Sequence, residues 1–77
     1  MRFYKTYEYS PYVVGDDNNP VEIYCGLSLE KAEAKAGKRY SEISGDIYIV
    51  ECFVIECNMT DEGVEHIGCV FRLSNNR

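Results

Sequence analysis

The sequence predicts an α+β fold: a single ββαββ domain in which one helix covers one face of a four-stranded, mostly antiparallel sheet. Three observations predict it. Four segments carry the period-two alternation or the β-branched and aromatic enrichment of strands. One segment between the second and third strands carries apolar residues at helical offsets. The chain has 77 residues, which makes one domain with a core near the lower limit for independent folding. The run Asp46 to Cys57 (DIYIVECFVIEC) is apolar on both strand faces and interrupted only by Glu51 and Glu56, so it reads as the central strand.

Arg2 to Ser10 (RFYKTYEYS) alternates bulky and polar residues. Phe3, Lys5, Tyr7 and Tyr9 share one face, and Arg2, Tyr4, Thr6 and Glu8 the other. Pro11 to Pro20 holds Gly15, two Asp, two Asn and two Pro, the chemistry of a loop. Val21 to Cys25 alternates again, so the first two strands are expected to form an antiparallel hairpin with a long tip.

Ser28 is suited to cap a helix, its hydroxyl accepting from an early backbone N–H, with Leu27 and Ala32 placed for a hydrophobic staple. Leu29, Ala32, Ala36, Tyr40 and Ile43 recur at offsets of three and four and mark one buried stripe. Gly37 weakens the helix by about 1 kcal/mol relative to Ala, and Ser44-Gly45 ends it. The central strand, a turn over Asn58 to Gly63, and a last strand Val64 to Leu73 complete the chain. If Cys57 and Val64 are the last pair before the turn, Tyr48, Val50, Cys52 and Val54 face Leu73, Phe71, Cys69 and Ile67. That wholly apolar face is the expected seat of the helix. A crossover from the second strand to the third makes those two parallel, with the first strand between them, which gives the spatial order 2-1-3-4.

Thirteen acidic residues against eight basic give a net charge of −5, which argues against direct binding to nucleic acid or anionic lipid. No apolar run approaches the roughly 18 residues of a membrane span, and the first residues lack the apolar stretch of a signal peptide, so neither a span nor a signal peptide is expected. A cytoplasmic protein is expected, with reduced thiols. Cys25, Cys52, Cys57 and Cys69 form no C-x-x-C pair, so no metal site and no cofactor is expected. Cys52 and Cys69, opposite each other in the expected register, could pair on oxidation, but the expected role of both is that of small buried hydrophobes. His66 has no evident catalytic partner, since Glu65 points to the other face. Asn58-Met59-Thr60 matches a glycosylation sequon but reads as a turn. No catalytic residues are assigned, and the chain is not expected to be an enzyme.

The aromatic residues are more informative. Seven tyrosines and no tryptophan include Tyr4, Tyr7, Tyr9 and Tyr12 in and just after the first strand, where amphipathic rings suit an interface. The second sheet face adds Ile49, Phe53, Ile55, Val64 and Val70, too apolar for a surface that meets only water. Asp16, Asp17, Glu51 and Glu65 complete the candidate partner-binding set.

The segment Asn19 to Ala32 (NPVEIYCGLSLEKA) resembles a pattern of many small phage and prophage proteins, a short N-terminal hairpin followed by Gly-Leu-Ser/Thr-Leu-Glu-x-Ala opening a helix. The resemblance implies a phage or mobile-element origin and carries over no catalytic residues. It directs the expected function to a binding protein that inhibits a host protein or nucleoprotein complex by surface blocking, in the manner of anti-CRISPR and other anti-defence inhibitors. The alternative is a homodimeric accessory or transcription-modulating phage protein with the second sheet face as its seam.

Overall fold

A computed structural model describes residues 1–9, 20–43 and 50–75. The elements in chain order are β1 (Arg2–Tyr9), β2 (Val21–Gly26), α1 (Leu29–Ile43), β3 (Glu51–Thr60) and β4 (Gly63–Ser74). They form the ββαββ fold, with one sheet in the order β2-β1-β3-β4. Every neighbouring pair is antiparallel. Tyr12, Asp16, Asp17 and Ile49, all expected at surfaces, lie outside the described residues.

The helix starts as its cap chemistry dictates. The Lys31 N–H donates to Ser28 Oγ at 3.1 Å, and the Ala32 N–H donates to the Ser28 carbonyl at 3.1 Å. The staple does not form, because Leu27 stays 65% exposed. The helix runs through Gly37 to Ile43, since burial of its apolar stripe outweighs a propensity penalty of about 1 kcal/mol. Ala32 and Ala36 sit at the bottom of that stripe with Cys52 and Val54 of β3, and Tyr4, Tyr24, Leu29, Tyr40, Ile43 and Phe71 pack around them. Two alanines at the contact let the helix approach the sheet closely. It lies mainly over β1 and β3 and reaches β4 least. Arg39 ties its far end to the sheet, with Nε donating to Glu8 at 2.8 Å. That bond raises the Arg39 pKa further.

The register of β3 on β4 departs from the expected one. Met59, not Cys57, lies opposite Val64, and Cys57 lies opposite His66. The reason is the tip. The Thr60 hydroxyl accepts from the Glu62 N–H at 3.2 Å and donates to the Gly63 carbonyl at 3.0 Å. This closes a turn on Asp61-Glu62 alone and leaves Asn58 and Met59 in the strand. Two bulges follow in β4, leaving Ile67 and Val70 without a partner in the register.

Each bulge shifts the side-chain alternation by one residue. Phe71 and Leu73 therefore reach the helix side as expected, but opposite Val54 and Cys52 instead of Val50 and Tyr48. Cys69 lands opposite Ile55 on the other face. The expected Cys52–Cys69 juxtaposition is thus overturned, because the two thiols lie on opposite sides of the sheet.

Candidate binding surfaces

The sheet face away from α1 is assembled from three strands in register. β1 supplies Phe3, Lys5, Tyr7 and Tyr9, paired with Cys57, Ile55, Phe53 and Glu51 of β3. β4 adds His66, Cys69 and Arg72 opposite Cys57, Ile55 and Phe53. At its centre the Tyr7 and Phe53 rings stack with centroids 5.5 Å apart and planes inclined by 22°. The Arg72 guanidinium lies 5.8 Å from the Phe53 centroid, a cation–π geometry. Beside this pair is a groove of about 310 Å³, lined by Tyr7, Pro20, Phe53, Ile55, His66 and Gly68. No described helix or strand packs over it.

The charges of this face are satisfied within the chain. Lys5 Nζ lies 3.2 Å from Glu22, and Arg72 Nε lies 3.8 Å from Glu51. The hydrogen bond to Glu22 holds the Lys5 ammonium above its ordinary pKa. Burial raises the Tyr7 phenol.

A second surface lies at the far end of the β3–β4 hairpin. Every residue from Gly63 to Val70 is exposed, because α1 stops short of this part of β4. Val70, 43% exposed, lies farther along β4. Met59, Val64 and Ile67 are 45%, 47% and 44% exposed, so three apolar side chains stand in solvent toward this end. Asp61, Glu62 and Glu65 flank them. Among the described residues these three carboxylates have no ion pair, which is also true of Glu30 and Glu33 on the helix, whereas Glu8, Glu22, Glu42, Glu51 and Glu56 each have one.

The residues singled out from the sequence divide between these places. Tyr7, Tyr9, Glu51, Phe53 and Ile55 share the open face. Val64 also falls on that side, toward the tip. Glu65 stands at the tip, opposite Asn58 on the helix side. Val70 occupies a bulge. Tyr4 belongs to neither surface: it lies on the helix side and packs against the core, a correction to its place among the contacts. Met59, Glu62 and Ile67 enter the tip surface unforeseen, because only the short reach of the helix over β4 reveals it.

One juxtaposition has the residue types of a nucleophile and its base. Cys57 lies opposite His66, yet Cys57 has no solvent exposure. Burial raises its thiol pKa, and its Sγ is 3.9 Å from the Ile55 carbonyl. A buried neutral thiol is a poor nucleophile. No helix among the described residues is long and apolar enough to cross a membrane. Comparison of the chain with family models, curated proteins and solved structures finds no match.

Proposed function

We propose that this protein is a non-catalytic binding protein that sets the end of its β3–β4 hairpin against a basic, partly apolar protein surface of a host macromolecular complex and blocks it. The observation that carries the reading is the segregation of charge. Among the described residues, the carboxylates in the body of the sheet are ion-paired, while Asp61, Glu62 and Glu65 are unpaired at the same hairpin end that exposes Met59, Val64 and Ile67. Unpaired charge around an apolar centre steers association and then excludes water from the contact. A basic surface in a cell is commonly one that handles nucleic acid, and covering it inhibits by competition. The resemblance of residues 19–32 to small phage proteins directs the search to bacterial interference and nuclease complexes, and so to an anti-defence role.

The test is capture of partners from bacterial lysate with the tagged protein, followed by binding of the recovered complex to a triple variant Asp61→Lys, Glu62→Lys and Glu65→Lys. The expected result is a loss of affinity on the order of 100-fold, with binding of the unaltered protein weakening as salt rises. Undiminished binding and inhibition by the triple variant would refute the reading.

A further inference from the structure

We infer that the sheet end at the β3–β4 turn holds an anchoring hollow for a partner segment in which a bulky apolar side chain stands beside lysine or arginine. This rests on the function proposed above and names the chemistry of the contact that function makes. The hollow has a volume of about 230 Å³ and is lined by Met1, Phe3, Cys25, Gly26, Leu27 and Met59. Strand pairing brings these residues together. Cys25 lies opposite Lys5, and Cys57 opposite Phe3. Leu27 and Met59, two residues beyond each cysteine, therefore reach the end where Phe3 and Met1 stand, and the Met59 N–H donates to the Met1 carbonyl at 2.7 Å. Phe3 is buried, whereas Met1, Leu27 and Met59 are 68%, 65% and 45% exposed. Phe3 is thus the floor and the other three form the rim.

Size and lining select the occupant. Pockets for small molecules run from about 300 Å³ upward and orient their ligand with convergent polar groups. This hollow is smaller, and its lining offers no charged or hydrogen-bonding side chain other than the Cys25 thiol. It fits one anchoring side chain, and the flexible thioethers of Met1 and Met59 adapt to the outline of that side chain. Charge then selects the neighbours of the anchor. Asp61 and Glu62 follow Met59 within three residues, and Glu65 follows Val64, the cross-strand partner of Met59. Among the described residues none of these carboxylates has an ion pair, so a cation beside the anchor finds one there. A second copy of this chain, with its charge of −5, brings the same carboxylates and is repelled, as is an anionic lipid surface.

The hollow also lies at the end of the sheet away from residues 10–19, 44–49 and 76–77, which join the described chain at Tyr9, Pro20, Ile43, Val50 and Asn75. Tyr9 pairs with Glu51 and Glu51 with Ser74, while Phe3 pairs with Cys57. Six strand residues separate Tyr9 from Phe3, a distance of about 20 Å.

The test uses NMR of the purified protein with ¹³C-labelled methionine methyl groups. It is titrated to about 1 mM, the weak end of measurable affinity, with a blocked alanine–lysine peptide carrying a single leucine between lysines. The Met1 and Met59 signals should move and approach saturation. Exchanging the peptide's leucine for serine, or its lysines for glutamates, should weaken binding roughly tenfold or more. Leu27→Asp in the protein should do the same, at a side chain too exposed to be needed for the core. Should that variant fail to fold by circular dichroism, the comparison of leucine and serine peptides still decides. No movement with the leucine peptide, or equal movement with the serine peptide or with decanoate, overturns the anchor. Movement produced by protein concentration alone assigns the hollow to a second copy and overturns it as well. The lysate capture described above uses none of these peptides, so loss of binding there by the triple variant leaves the proposed function standing even where the anchor falls.

Discussion

Thr6 donates its hydroxyl hydrogen to the Ala32 carbonyl at 3.0 Å, joining the middle of β1 to the first turns of α1 where neither residue is exposed. It is the buried polar side chain of the described core, and its partner is a carbonyl already within the helix. Removing the hydroxyl but not the volume therefore leaves no orphaned donor. Thr6→Val should lower stability by about 1 kcal/mol, the net worth of such a bond. Thr6→Ala should lower it by about 2 kcal/mol, because a cavity is added. Denaturant unfolding of the two variants measures both.

Gly63 holds the hairpin tip at φ 125°, a conformation costly to a residue with a Cβ. Gly63→Ala meets no steric neighbour, so its effect isolates backbone strain. A loss of about 1–3 kcal/mol is expected in thermal or denaturant melts.

The cysteines should react in two classes. Cys25 and Cys69 are exposed, whereas Cys52 and Cys57 are buried. At low micromolar protein, a thiol reagent should modify two sites quickly and the other two only after unfolding. Under oxidation no Cys52–Cys69 bond should appear by mass spectrometry, since the sheet separates the two sulfurs. Rapid modification of all four in the native protein would contradict the buried placement.

Alkaline pH should loosen the fold. Burial pushes the Cys52 thiol up to about 11 from an ordinary 9.0, so the folded state holds this proton more tightly than the unfolded chain does. The stabilisation is complete below about pH 9 and is lost as pH rises through about 11. The raised Tyr7 and Cys57 act in the same direction. Melting temperature followed from pH 8 to pH 11 should fall, and Cys52→Ala should flatten the decline, which a plain cavity would not do.

Much of the architecture was legible because local signals agreed with one another. Ser28, the stripe Leu29-Ala32-Ala36-Tyr40-Ile43 and the alternation of β1 and β2 each rest on interactions within a few residues, and connection rules then ordered the strands. The candidate surfaces were less legible. Tyr4 and Tyr7 look alike in sequence, yet alternation sends Tyr4 under the helix and Tyr7 to the open face. The open face was readable from Phe53 and Ile55, whereas of the hairpin tip only Val64 and Glu65 were.

By itself the sequence determined the ββαββ order, the capped helix and its buried stripe, because periodicity and capping are properties of neighbouring residues. Only the tertiary structure decided the β3–β4 register, through the Thr60 hydroxyl and two bulges whose placement no local pattern announces. It also decided which carboxylates go unpaired, since an ion pair such as Arg39 with Glu8 joins residues 31 apart in the chain. Such contacts arise when the helix settles on β1 and β3, and the same settling leaves the far half of β4 in water.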